Sequence, residues 1–349
     1  MPLSIVIPSH DQAPELRQHL PLILEQDYTD FEVIVVDMAS TDETRDVLDE
    51  MELRYPALRH TRTPESARDI SLERLAITLG VRTAKHDWVV ITHPDCRPAT
   101  PRWLQTLARQ MTEGKDIVVG VAKYDETAHI WLHRKAGFFR QWNTLANLSH
   151  IRSGHAAVRA DGCNIALRRT LFFSKDGFGD NLNLLTGAEE LLVNHLSTPR
   201  NTAIASDPDA IVIQAPLPLE QLWKKQRVFY METRRHQHHA GLYRATQNLR
   251  MLLPWLQLIA VCALWPLLVC FCPDEPVATT IITALVLLLA LIITSFVVHN
   301  ANRAARAIGY ERSYVLMRLL VTLQLHFWNL SAWLSHRLAS KNDFRKKFV

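Results

Sequence analysis

The chain has only five cysteines in 349 residues, and none stand in paired spacing. Cys96 and Cys163 lie far apart in a polar region, and Cys262, Cys270 and Cys272 lie in an apolar one. This excludes a disulfide framework and a zinc pattern, and reads as a reducing compartment. Charge of one sign is also scarce in excess. The formal net charge is +4, which does not indicate a nucleic-acid partner. No repeat of 20–50 residues and no low-complexity tract occurs. No G-x-G-x-x-G follows the first apolar run, and no G-x-x-x-x-G-K-[ST] occurs anywhere, so a dinucleotide site and a P-loop are disfavoured. The opening residues, Met1 to Pro8, lack a basic n-region and a long apolar stretch and read as no signal peptide.

What is present divides in two. With 48% hydrophobic and 21% charged residues, the chain has ample material for a large core. The mean hydropathy of −0.03 averages two unlike parts. Residues 1–250 carry charges throughout, whereas 252–272 and 277–298 carry none. At 1.5 Å per residue, each uncharged run is long enough for a ~30 Å hydrocarbon layer. The acidic link 273–276 between them permits only a hairpin turn. Arg234, Arg235, Arg244 and Arg250 precede the first run, and Arg303, Arg306 and Arg312 follow the second. The excess of positive charge on that side predicts a multi-pass protein of the cytoplasmic (inner) membrane, with its N-terminal domain in the cytoplasm. A third apolar stretch, 314–336, contains Arg318, His326 and Asn329 and reads as an interfacial amphipathic helix, the alternative being a third transmembrane helix. A basic tail, 337–349, completes the expected plan of a domain at 1–235, a basic juxtamembrane segment at 236–251, and the membrane segments.

The polar part alternates strand and helix patterns. Leu3–Ile7, Glu32–Asp37, Leu58–Thr63, Trp88–Thr92 and Asp116–Val121 read as strands, several of them continuously apolar. Ala13–Gln26, a helix from Ser40 to about Tyr55, Arg68–Ala84 with Leu72, Leu75, Ala76 and Leu79 inward, and Pro101–Met111 read as helices. The expected fold class is α/β, a mostly parallel sheet covered on both faces. In such sheets ligands lie beyond the carboxyl ends of the strands. The polar groups there are Pro8-Ser9-His10-Asp11, Asp37-Met38-Ala39-Ser40 and His93-Pro94-Asp95-Cys96.

Five segments, in order, resemble the family 2 glycosyltransferases of GT-A fold. SIVIPSHDQAPELRQHL (4–20) looks like that family's opening strand and helix, and EVIVVDMASTDET (32–44) like its VVDDGSTDGT. WVVITHPDCRPATPRWL (88–104) is similar to its metal-site strand end. DGCNIALRRTLFF (161–173) and GFGDNLNLLTGAEELLVNHL (177–196) resemble its acceptor-side and base-bearing segments. The resemblance implies an inverting enzyme that uses a nucleotide-diphosphate sugar, with a GT-A Rossmann-like domain followed by C-terminal membrane helices. It implies that Pro8, Ser9 and Asp37 face the nucleotide, that Arg68 and Arg74 face the diphosphate, and that Asn164 lies with the donor. It implies that Asp95 and His93 hold a divalent cation (Mn2+ or Mg2+), and that Glu189, with Glu190 beside it, takes the acceptor proton. Trp223, Gln226, Arg227, Arg234, Arg235 and His236 resemble the family's W…Q…R-R-H stretch near the diphosphate and the membrane surface.

Two positions depart from the pattern. His93 stands in place of the first acid of D-x-D, and Ala188 stands where an acid is expected. Thr186-Gly187-Ala188-Glu189 also forms a helix capping box, which offers Glu189 a purely local role. The implied partners are a nucleotide-sugar donor, a lipid-linked or glycan acceptor, and a membrane. The competing expectation is an inactive GT-A domain serving as a membrane scaffold or partner subunit.

Overall fold

Beyond Pro2 the chain opens with seven consecutive residues, Leu3–Ser9 (β1), that are all buried in the computed structural model. That model describes residues 1–64, 70–125, 131–216, 219–271, 276–310 and 315–345. A strand buried on both faces needs apolar side chains at odd and even positions alike, because successive side chains point to opposite sides. Phe31–Asp37 (β2), Leu58–Arg62 (β3) and Trp88–Ile91 (β4) join β1 in parallel. Cys96–Pro98 (β5), Ile117–Gly120 (β6), Ala122–Tyr124 (β7), Ile165–Arg168 (β8), Thr202–Ala205 (β9) and Val212–Gln214 (β10) complete the strands described. The main sheet runs β3-β2-β1-β4-β8-β6-β9, and a small one runs β5-β10-β7. β8 lies antiparallel between β4 and β6, the exception in a mostly parallel sheet.

Helices cover both faces. Ala13–Leu24 (α1) and Thr44–Arg54 (α2) pack Leu16, Leu20, Val47 and Leu48 on Ile5, Ile7, Val33 and Val35. Leu72–Thr83 (α3) packs on the other face, where Ala76, Ile77 and Val81 meet Val6, Ile34 and Val36. Its inward stripe is Arg74, Ala76, Ile77, Gly80 and Val81, so Leu72, Leu75 and Leu79 are only partly buried, a rotation of the expected face. Each fully buried aliphatic side chain contributes about 1.5–3 kcal/mol. Trp103–Ala108 (α4), Trp131–Arg152 (α5), Arg169–Ser174 (α6), Ala188–Leu196 (α7) and Glu220–His236 (α8) follow.

The chain divides into two compact units. One comprises 1–240 together with 332–349, and the other comprises 241–331. The second holds Gly241–Phe271 (α9), which packs against Pro276–Ala307 (α10), and most of Val315–Leu338 (α11). Among the described residues, α10 is the one helix found long and apolar enough to cross a membrane. Leu285, Leu288, Ile292 and Phe296 are exposed along it. A separate basic tail is expected at 337–349. Its described residues instead group with the first unit, and Phe344 is buried there.

Candidate active site

The ends of β1 and β2 meet in register at Ser9 and Asp37, and Met38 N donates to Ser9 O at 2.8 Å. Asp37 is buried, accepts from Ser40 N at 2.9 Å, and lies 3.4 Å from Arg62. Asp11 accepts from Thr41 N at 2.6 Å and Asp42 accepts from Ala13 N at 3.0 Å, so the two strand-end loops hold each other. The Ser9 and Thr63 hydroxyls are buried here without a hydrogen-bond partner among the described residues. Buried hydroxyls rarely go unpaired in a finished core, which sets this edge of the sheet, beside Pro8 and Asp37, apart from the packed interior.

The turn after β4 carries His93, Pro94 and Asp95. His19 on α1 fixes it through a 2.8 Å contact with Pro94 O. Its two functional side chains diverge. Asp95 Oδ2 accepts from Gln214 Nε2 at 2.8 Å, and Gln214 Oε1 accepts from Arg140 at 2.5 Å. Arg140 in turn pairs with Asp161 at 3.2 Å. His93 Nε2 lies 2.7 Å from Glu189 Oε1. His93 and Asp95, expected as a joint metal set, therefore face different partners. The trio brought together is Glu73, His93 and Glu189, whose ligand atoms all lie within 4.8 Å of one another. Two carboxylates and an imidazole suit a divalent ion that takes mixed nitrogen and oxygen ligands, Mn2+ better than Mg2+. Burial alone would lower the His93 pKa, but the charge and hydrogen bond of Glu189 push it up to about 10. Burial, and then the charge of Glu189, raise Glu73 to about 7. Glu189 is held low by His93 against the effect of its burial. A cation at this trio would compete with the His93 proton.

α7 sets the two glutamates. It does not start on a capping box: its N-cap is Gly187 in the left-handed region at φ 58°, with no side-chain cap. A Cβ at 187 would stand 2.4 Å from Thr233 Cγ2, so both conformation and space require glycine. Thr186 Oγ1 meets Thr233 Oγ1 at 2.9 Å instead of closing a box. Neighbouring residues on a helix diverge by about 100°. Glu189 thus reaches His93, while Glu190 meets Arg159 at 3.1 Å and Gln237 at 2.6 Å. Burial raises the Glu190 pKa. Glu190, Asp161, Arg227, Trp223 and Tyr230 line a cavity of about 350 Å3, together with Gly162. A Cβ on Gly162 would lie 3.0 Å from Glu189 Oε2, so the missing side chain opens that oxygen toward the cavity wall.

The remaining expected residues sort by burial. Arg227 stacks over Phe139 at 4.3 Å and Trp223 at 5.1 Å. Arg234 lies 5.8 Å from the Tyr230 ring, and Arg235 is exposed beside Glu232. Arg74 is fully buried and donates to Leu184 O at 2.8 Å and Thr186 O at 2.5 Å. Its expected diphosphate contact is replaced by a structural clamp, because the inward stripe of α3 carries it into the core. Asn164 is likewise fully buried: its Nδ2 donates to Val121 O and Ala210 O, and its Oδ1 accepts from Trp103 Nε1 at 3.1 Å. It staples the backbone at Val121 and Ala210 to the Trp103 side chain. Arg68 lies outside the described residues. Sequence reasoning missed Glu73, whose only signal is its place two residues into α3, and Arg140, Asp161 and Gln214, which lock Asp95.

A mostly parallel sheet, with polar side chains gathered at its strand ends, is the arrangement of a GT-A fold. Residues 4–167 match glycosyl transferase family 2, and the chain carries a domain of that family. A hyaluronan synthase of Pasteurella multocida is 24% identical over 163 residues, which are 46% of this chain and 16% of the synthase. The chain thus spans about one sixth of that relative. The mannosyltransferase PcManGT from Pyrobaculum calidifontis, in complex with GDP-Man and Mn2+, superposes with a TM-score of 0.59 at 18% identity, over 96% of this chain and 86% of its own. At that identity the likeness shows the fold. S. aureus TarS 1–349 in complex with UDP-GlcNAc aligns at 15% identity over 68% of this chain and 66% of its own, with a TM-score of 0.48.

Proposed function

We propose that the protein is a membrane-anchored, inverting glycosyltransferase. It moves a sugar from a UDP- or GDP-sugar to a hydroxyl of a lipid-linked or glycan acceptor at the cytoplasmic face of the membrane. The observation that carries this reading is the pair of glutamates on α7, the buried Glu189 directed at His93 and the half-buried Glu190 at the cavity. The GDP-Man and Mn2+ of the structurally similar mannosyltransferase support a sugar-nucleotide donor and a divalent ion. The exposed apolar length of α10, with the uncharged run of α9 before it, supports the anchor. In this reading Pro8, Ser9 and Asp37 take the nucleotide, and Asp95, set by Gln214, lies at the diphosphate with Arg227 and Arg234. With Glu189 kept as the base, Glu73 and His93 are the residues left to hold a cation, which when bound would supply positive charge against the diphosphate.

The acceptor oxygen forms a bond to C1 of the sugar as the bond from C1 to the phosphate oxygen breaks. The electron pair leaves with the nucleoside diphosphate, and in-line displacement inverts C1. The acceptor proton passes to Glu189 Oε2, the oxygen toward the wall at Gly162, while His93 orients Oε1. Glu190 stands next in line as a base, since its burial keeps its pKa raised.

The test is nucleoside diphosphate release by membranes that contain the protein, over a panel of UDP- and GDP-sugars, with and without Mn2+. Release that needs both a lipid extract and one nucleotide sugar is expected. The second reading, an inactive scaffold domain, draws on the His93–Glu189 ion pair in place of the usual acids. Donor binding without release on any acceptor would establish that reading instead.

A further inference from the structure

We propose that the C-terminal segment from Ala332 to Arg345 is a positioning element of the transferase site, acting through Phe344. This rests on the reading of Glu189 and Glu190 as site carboxylates. Phe344 is 3% exposed and sits with Leu184 and Leu191, against Val228 and Phe229. Its ring meets that of Phe229 at 5.6 Å and 70°, and His336 from the same segment lies 5.2 Å away. The backbone takes part as well. Leu185 N donates to Phe344 O at 2.9 Å, and Leu184 and Arg345 form a β-bridge.

The residues so gripped are the approach to α7. From the opposite side Arg74 holds Leu184 O and Thr186 O. One turn of chain, 184–187, is therefore clamped between a buried guanidinium and a buried phenyl ring, and it ends in the left-handed Gly187 that aims α7. The directions of Glu189 and Glu190 follow from that aim. The segment is built to present Phe344: Ser340 caps the short helix Lys341–Phe344, accepting from Asn342 N at 3.2 Å while its own N–H donates to Asp343 at 2.9 Å. A second tie fixes α8, where His336 Nε2 lies 2.6 Å from Glu232 Oε2. α8 carries Arg227 and Tyr230 of the cavity, but no residue of the segment lines it. The segment thus acts on the site through the elements it holds.

The experiment uses the full chain in lipid nanodiscs and compares wild type, Phe344→Ala and Phe344→Leu. Backbone hydrogen exchange at 184–190 and steady-state turnover are both read. Phe344→Ala is expected to speed exchange at the Leu185 amide by about tenfold or more. It should also lower kcat by about tenfold while the donor KM stays within about twofold. Phe344→Leu, which keeps most of the apolar volume, should recover both in large part, and it carries the test alone if the alanine variant does not fold. Unchanged exchange at 184–187 overturns the proposal. So does faster exchange with undiminished kcat, or an equal loss of donor binding. Glu189→Gln and Glu190→Gln run beside them: full turnover in both would overturn the assignment of the carboxylates, an outcome distinct from any result at Phe344.

Discussion

His93 Nε2 and Glu189 Oε1 stand 2.7 Å apart, although 96 positions separate them in the chain. The contact ties the turn after β4 to the first turn of α7. Glu189→Gln keeps the shape and removes the charge. It is expected to lower turnover about 10²–10⁴-fold, the usual contribution of a positioned base. Stabilisation of the protein by a nucleotide sugar should persist. Nucleoside diphosphate release and a thermal-shift titration on the same preparation check both halves.

The trio of Glu73, His93 and Glu189 makes a claim about cation binding that needs no turnover. Mn2+ titrated into the full chain without nucleotide, followed by the paramagnetic signal of the free ion, should bind more weakly to Glu73→Gln and to His93→Asn, by about 10-fold or more. Asp95→Asn should leave this binding in place, because Asp95 is turned to Gln214. Equal weakening in all three variants would return Asp95 to the metal set.

Arg74 illustrates a role that the motif alone misassigns. Arg74→Met leaves the Leu184 and Thr186 carbonyls without their buried donor. Each lost charged hydrogen bond costs about 1.5–3 kcal/mol. A marked fall in apparent Tm is therefore expected, with any loss of donor affinity following from it. An unchanged Tm with weakened donor binding would restore the diphosphate role.

The strands and their ends were legible because their physics is local. Runs such as Ile5-Val6-Ile7 and Val33-Ile34-Val35-Val36 suit burial on both faces, and the polar residues that follow them mark the ligand edge. The antiparallel placement of β8 was not legible, since Ile165–Arg168 reads the same in either direction. Arg74 and Asn164 are residue types that bind ligands elsewhere, and a linear sequence does not reveal that backbone carbonyls use up their donors. Glu73 became part of the site only because α3 packs across β1, a long-range placement no short motif encodes. α5 shows no clear apolar period in the sequence because Arg140, Asn143 and Thr144 face the cavity and interrupt it. The Thr186–Glu189 box failed because the left-handed Gly187 claims the cap.

Glu32 offers a test of the fold by pH. Its carboxylate is buried, which by itself would raise its pKa. The Lys85 N–H, the Ser4 hydroxyl and Arg59, at 2.6, 2.7 and 2.6 Å, bring it below the ordinary value. A carboxylate lowered by folding stabilises fully above its unfolded pKa and loses that contribution as the pH falls through its folded one. The Tm gap between wild type and Glu32→Gln should be widest near about pH 7 and close in acid, below about pH 4. A gap independent of pH would mean that the charged form contributes nothing.

The return of residues 332–345 to the first unit makes the helices at 241–331 an insertion in the catalytic fold. That insertion is a compact helical unit rather than a loose loop, so the chain returns to the first unit through helices. Release of Phe344 is then an intramolecular event, reversed without a second molecule. A fragment cut at residue 240 would lack this partner, and a separate peptide carrying Ser340–Arg345 would have to be supplied in solution to replace it.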